Sequence, residues 1–292
     1  METNLDRIKE TLKSKELFIF DMDGTVYLGT DPFPFAIRFI RNLRRDGKQV
    51  LFYTNNASLN RESYLRKLTG MGFEPTEKEI LTSGDVAVSY LCRCHKGKRV
   101  FLLGTEDLKA DCRKAGIELA EAPVPETDPI TAQPPRFEAD LVLVSLDFTL
   151  TYDKLYYAAN LIRSGVPFFT THHDAVYLSN HGWIPDAGAI CDLLATATGV
   201  QPVCLGKPLP YAIDTISERF GTKKDKMVMF GDRLDTDIFF GSRNGFASVL
   251  VETGVSTFSQ AQALPASDQP YCAFRSLEEV DRILYGGDAN GI

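Results

Sequence analysis

Asp21 and Asp23 stand two positions apart at the end of the apolar run Leu17-Phe18-Ile19-Phe20. Thr54, followed by Asn55-Asn56, ends a second run, Val50-Leu51-Phe52-Tyr53, and Gly231-Asp232 ends a third, Met227-Val228-Met229-Phe230. Lys207 lies in Gly206-Lys207-Pro208, and Asp237 comes five positions after Asp232. These residue types suit phosphoryl transfer, which needs a nucleophile in line with the leaving oxygen, charge neutralisation and a proton donor. Asp21 can attack phosphorus and form a covalent intermediate. Asp23 can protonate the leaving alcohol and then deprotonate the attacking water, and Gly24 permits a tight turn beneath the phosphate. A divalent cation removes the repulsion between carboxylate and phosphate. Mg²⁺ prefers hard oxygen donors, and Asp21 and Asp232 are its candidate carboxylate ligands. Thr54 and the amides of Asn55 and Asn56 can donate to the phosphoryl oxygens. Lys207 can hold phosphate and nucleophile together. Asp237 can orient metal-bound water, whereas Asp235 suits a helix N-cap.

Alone, an aspartate after a strand reads as a turn or a cap. Four such sites in order need a scaffold that gathers them. Short, continuously apolar runs predict strands buried on both faces of a parallel sheet, with crossover helices between them. The pattern predicts strands at Leu17–Phe20, 50–53, 100–103, 141–144, 167–170, 227–230 and 248–251, and helices over 36–46, about Tyr64–Met71, 105–115, 152–164, 209–220 and 235–244. The stretches 121–137 and 172–186 read as loops. In open α/β sheets ligands bind at the carboxyl ends of strands, where these polar residues fall.

The chain of 292 residues carries a formal net charge of −7 and 44% hydrophobic residues. It can bury a large core, and it has no long-range attraction for nucleic acid or an anionic membrane. A charged N-terminus and the lack of a spanning apolar run predict no secretory signal and no membrane segment. The six irregularly spaced cysteines read as free thiols in a reducing cytoplasm. Cys92-Arg93-Cys94-His95 lacks a second ligand pair, so a zinc site is not expected. His172, His173 and His181 read as loop residues rather than a metal cluster.

Asp21-Met22-Asp23-Gly24-Thr25, Thr54, Lys207 and Gly231-Asp232-Arg233-Leu234-Asp235-Thr236-Asp237 resemble the four ordered motifs of the haloacid dehalogenase (HAD) superfamily. The resemblance spans nearly the whole chain. It implies an α/β, Rossmann-like core with Asp21 as nucleophile, Asp23 as acid and base, and the main-chain carbonyl of Asp23 as a further magnesium ligand. Members without the second aspartate protonate no leaving alcohol. Its retention favours hydrolysis of a small phosphate monoester (a sugar phosphate, another metabolite or a nucleotide monophosphate), with 4-nitrophenyl phosphate as an artificial substrate. A phosphotransferase or mutase, and a non-catalytic binding protein on the same scaffold, are the alternatives.

Thirty-one positions separate Asp23 from Thr54, and 153 separate Thr54 from Lys207. The excess carries its own α/β series, so a smaller α/β cap is expected between the second and third motifs. The expected division is core over 1–82, cap over 83–188 and core over 189–292. The cap's position resembles the NagD / 4-nitrophenylphosphatase subfamily, as do Tyr53-Thr54-Asn55-Asn56, Leu81-Thr82-Ser83, Thr171-His172-His173-Asp174, Pro185-Asp186-Ala187-Gly188-Ala189 and Gly206-Lys207-Pro208. His172 departs from that pattern, where Asn is frequent. The resemblance makes Asp174, Tyr177 and Trp183 the candidates to meet the leaving group, with packing of Tyr177 and Trp183 inside the cap as the alternative, and it leaves a homodimer open.

Overall fold

The computed structural model describes residues 2–122, 137–179 and 182–286. Most of the loop expected over 121–137, and His181, lie outside the described residues. In chain order the strands are β1 (Leu17–Phe20), β2 (Tyr27–Leu28), β3 (Asp31–Pro32), β4 (Gln49–Thr54), β5 (Ile80–Thr82), β6 (Val100–Leu103), β7 (Leu141–Val144), β8 (Phe168–Thr170), β9 (Val176–Ser179), β10 (Gly182–Pro185), β11 (Val203–Cys204), β12 (Met227–Gly231), β13 (Ala247–Val251) and β14 (Cys272–Phe274).

Two compact units emerge among the described residues. One takes those within Met1–Thr54, Arg61–Leu81 and Lys207–Ile292, and the other those within Asn55–Asn60 and Thr82–Gly206. The first is built on a sheet in the order β14-β13-β12-β1-β4-β5, in which β14 through β4 run parallel. β1 is buried along its whole length, as its unbroken apolar run requires. Its crossover helix, Pro34–Arg45, starts on a proline, which suits the first helical turn, and buries Ala36, Phe39, Ile40 and Leu43 at helical spacing. Phe39 meets Phe20 edge-on at 6.0 Å, and Phe20 stacks on Phe230 of β12 at 5.1 Å, so the helix is keyed to the two central strands.

The second unit carries the parallel sheet β11-β8-β7-β6 and the antiparallel hairpin β9-β10. Its core joins Phe101, Leu103, Val142 and Val144 to Tyr157, Leu161, Ile190 and Leu194. The return to the first unit, expected after residue 188, falls after Gly206 instead. The helix Ala187–Thr198 packs on β7 and β8, and β11 pairs with β8, so both belong to the second unit. The hairpin corrects the expected loop over 172–186, where frequent turn residues mask two short strands. The helix expected over 235–244 is a π-helical turn, Leu234–Ile238, followed by a short α-helix, Phe239–Ser242.

Candidate active site

Register brings the polar residues of the first unit together. Phe20 aligns with Phe52 on one side and Phe230 on the other, so Asp21, Thr54 and Asp232 leave the sheet at the same edge. The amide of Asp21 donates to the carbonyl of Phe230 at 2.8 Å, extending the ladder by one residue. Lys207 arrives from the loop before the helix Tyr211–Phe220, and its side chain is about 1% exposed. The ammonium uses all three donors: Asp21 Oδ1 at 2.6 Å, Asp237 Oδ1 at 2.7 Å and the Tyr53 carbonyl at 3.0 Å.

The π turn presents Asp237. The amide of Ile238 reaches back five residues to the carbonyl of Arg233, and the widened turn aims the Asp237 side chain inward, where it is fully buried. Its second oxygen accepts from the amide of Arg233 at 3.2 Å. Asp235 instead faces solvent and pairs with Arg233 at 3.2 Å. Carboxylate oxygens of Asp21, Asp232 and Asp237 lie within 4.8 Å of one another.

The sequence reading missed one element of this cluster, the loop after β13. The amide of Val255 donates to Asp232 Oδ2 at 2.8 Å, and that of Ser256 to the Asp232 carbonyl at 2.9 Å. Thr253 Oγ1 donates to the carbonyl of Gly24 at 2.5 Å. Gly254 and Gly24 leave room for the Asp232 carboxylate: a Cβ would stand 2.0 Å from Oδ2 at Gly254 and 2.6 Å at Gly24. The signal was available, since Thr253-Gly254-Val255-Ser256 follows an apolar strand as the other polar segments do. Lys67 was missed too; its ammonium lies 4.0 Å from the centre of the Tyr27 ring.

Burial and crowding set the charges. Burial pushes the Asp21 carboxyl well up, Asp237 and Asp232 push the same way, and Lys207 opposes them. Burial and Asp237 raise Asp232 to about 7, against the pull of the Val255 amide. Burial disfavours the charged form of Lys207, but Asp21 and Asp237 outweigh it and hold the ammonium above its ordinary value. The cluster holds three carboxylates and one buried ammonium, which pairs with Asp21 and Asp237, leaving two negative charges if all are ionised. Buried charges need partners, and a divalent cation with a preference for oxygen matches both the charge and the donor set. Asp23 opens to solvent. Desolvation raises its carboxyl, while Lys67 and the amides of Gly29 and Gly24 pull it down.

The remaining expected residues are in the second unit. Asn55 is buried, and Asn56 Oδ1 accepts from the amide of Ser58 at 2.8 Å, closing a local turn. Asp174 and Tyr177 are partly buried, whereas Trp183 on β10 is 72% exposed, which excludes packing into that unit's core. His172 is fully buried and pairs with Asp186, and His173 pairs with Asp192 at 3.3 Å.

Known proteins carry the same design. Residues 18–118 match the family model for haloacid dehalogenase-like hydrolases, and residues 204–280 match a HAD-hydrolase-like model. The chain is 32% identical over 268 residues to an acid sugar phosphatase of Staphylococcus aureus, covering 92% of this chain and 97% of that protein. The structure resembles the 4-nitrophenylphosphatase of Thermotoga maritima (TM-score 0.82, 35% identity, 94% of this chain and 99% of that one). It also resembles a glycerol phosphate phosphatase of Mycobacterium tuberculosis solved with magnesium (TM-score 0.80, 28% identity, 94% and 77% covered). With this fold, cluster and set of relatives, the chain belongs to the haloacid dehalogenase-like hydrolases, in their NagD / 4-nitrophenylphosphatase branch, and is a phosphoric monoester hydrolase.

Proposed function

We propose that this enzyme hydrolyses small phosphate monoesters through an aspartyl-phosphate on Asp21. A carboxylate oxygen of Asp21 attacks phosphorus, and the bond from phosphorus to the ester oxygen breaks. Asp23 gives its proton to that oxygen, and the alcohol leaves. Asp23 then takes a proton from water, the water oxygen attacks phosphorus, and the bond to Asp21 breaks to release inorganic phosphate. Thr54 and the amides of Asn55 and Asn56 donate to the phosphoryl oxygens. Lys207 holds Asp21 in place and keeps a positive charge beside the incoming phosphate.

Magnesium fits the unbalanced charge, with Asp21, Asp232 and the main-chain carbonyl of Asp23 as ligands, and would supply charge neutralisation between carboxylate and phosphate. Asp237 is better suited to support than to ligation, because Lys207 and the Arg233 amide already engage its two oxygens. The single observation that carries the reading is this cluster: three carboxylates whose oxygens lie within 4.8 Å of one another, two of them paired with Lys207.

Sugar phosphates lead the substrate candidates, with other small phosphorylated metabolites and nucleotide monophosphates behind them. The relatives named above act on sugar phosphate, 4-nitrophenyl phosphate and glycerol phosphate. Asp174, Tyr177 and Trp183 are proposed to meet the leaving group. Among the described residues all six cysteines are free thiols and no helix is long and apolar enough to cross a membrane; the thiols suit a reducing cytoplasm.

Asp21→Asn tests the nucleophile. It should abolish turnover of 4-nitrophenyl phosphate while circular dichroism stays native, and undiminished turnover removes Asp21 from the mechanism. EDTA should stop activity and Mg²⁺ restore it; indifference to both counts against the metal.

A further inference from the structure

The second unit holds a polar cluster, buried throughout, that the chemistry above does not use. His172 is its centre and is fully buried. Its Nε2 faces Asp186 Oδ1 at 3.0 Å. Its Nδ1 faces two hydroxyls, Thr171 Oγ1 at 2.9 Å and Ser83 Oγ at 3.5 Å. Thr171 Oγ1 passes a hydrogen bond on to Ser145 Oγ at 3.0 Å, and Thr170 Oγ1 donates to the His172 carbonyl at 2.6 Å. Ser83 Oγ donates to the carbonyl of Asn55 in a short hydrogen bond. Asp186 Oδ1 also accepts from the amide of Ala187 at 2.7 Å, which anchors His172 to the start of the helix Ala187–Thr198.

Burying so many polar groups is expensive unless each is satisfied, and a satisfied network fixes one arrangement of the chains that meet in it. What meets here is specific. The chain passes from one unit to the other at four places, after Thr54, Asn60, Leu81 and Gly206. Asn55, Ser83 and Gly206 lie within two residues of three of those crossings. A Cβ on Gly206 would stand 2.6 Å from the Thr171 carbonyl, 2.8 Å from Asn55 Oδ1 and 3.3 Å from His172 Cβ. The segment before Lys207, the Asn55 turn and the strand end at Thr171–His172 are therefore in direct contact.

The geometry points to His172 as a positioning residue for phosphate binding: anchored on Asp186, it holds Ser83 and Thr171 in place and so fixes the main chain at Asn55 and Gly206. Its action falls on Thr54-Asn55-Asn56 and on the approach to Lys207, which carry the phosphate contacts. The inference rests on the phosphate-binding role proposed above for those residues. It predicts an effect on affinity for the phosphoryl group more than on the chemical step, because the residues held by the cluster, Asn55 and Gly206, supply neither the nucleophile nor the acid.

The test measures competitive inhibition by inorganic phosphate, and KM and kcat for 4-nitrophenyl phosphate, at saturating Mg²⁺. His172→Ala should raise the phosphate inhibition constant and KM about tenfold while kcat stays within about threefold. His172→Asn keeps a polar group near the Nδ1 position and should recover most of the loss. Ser83→Ala should show the same affinity defect, and the double variant should be no worse than His172→Ala alone, because one connection is cut in both. The inference is overturned if folded His172→Ala binds inorganic phosphate as the wild type does, or if the two single effects add. Should His172→Ala fail to fold, Ser83→Ala, which leaves the pair with Asp186 intact, decides alone: an unchanged phosphate inhibition constant overturns the inference. If wild-type enzyme is not competitively inhibited by phosphate, or Asp21→Asn stays active, the underlying site reading fails instead.

Discussion

Gly254→Ala separates the geometry of Asp232 from its identity. Gly254 does not have the left-handed backbone that penalises a side chain, so that strain does not oppose alanine there. Its methyl group would stand 2.0 Å from Asp232 Oδ2, where real Cβ contacts essentially never fall below 3.0 Å. The carboxylate or the loop must therefore move by about 1 Å. Either movement breaks the 2.8 Å hydrogen bond from Val255 to Asp232. A displacement of about 1 Å at a reacting centre costs roughly a hundredfold in rate, so kcat/KM for 4-nitrophenyl phosphate should fall about a hundredfold at saturating Mg²⁺. The affinity for Mg²⁺, measured by calorimetry, should weaken in parallel, while circular dichroism remains native. Wild-type kcat/KM and Mg²⁺ affinity, each within about twofold, would refute the argument that Gly254 exists to admit the Asp232 carboxylate.

Lys207→Met should remove the buried ammonium that pairs with Asp21 and Asp237. Breaking a buried pair from one side costs about 3–5 kcal/mol, a fall in Tm of about 10 °C by calorimetry, and activity should be lost with it. Asp235→Ala should leave stability within about 0.5 kcal/mol and activity near wild type, because its pair with Arg233 is solvent-exposed. Asp237→Ala, by contrast, should lower kcat/KM by at least about tenfold, because it removes a charge-assisted hydrogen bond to Lys207. Alkaline pH should destabilise the fold through its buried thiols. Burial pushes Cys112, Cys191 and Cys272 from 9.0 up to about 12, so between those values the unfolded chain ionises them and the native chain does not. Their stabilising contribution is complete below pH 9 and is lost at about 1.4 kcal/mol per thiol per pH unit above it. Urea unfolding from pH 8 to pH 10.5 should show this loss, and Cys112→Ala should make the decline shallower.

The sequence alone determined the parallel strands of the first unit and the residues at their ends. An unbroken apolar run such as Phe18-Ile19-Phe20 can be satisfied only by burial on both faces, and the polar residue that follows must then sit at the sheet's edge. That information is local, so Asp21, Thr54 and Asp232 could be read from single segments. Tertiary structure decided everything that depended on a neighbour distant in the chain. Lys207 looks like any lysine before a proline until Asp21 and Asp237, 186 and 30 positions away, enclose its ammonium. Asp237 and Asp235 are nearly equivalent by spacing, and only the π turn sends one inward and the other out to Arg233. The hairpin β9-β10 was read as a loop because its strands are four residues each and its turn residues dominate the composition. The boundary after Gly206 depended on β11 finding β8, a pairing that no local pattern encodes. Gly254 became meaningful only when the fold set its Cα beside Asp232, because steric room is a property of the packed chain and not of the residue.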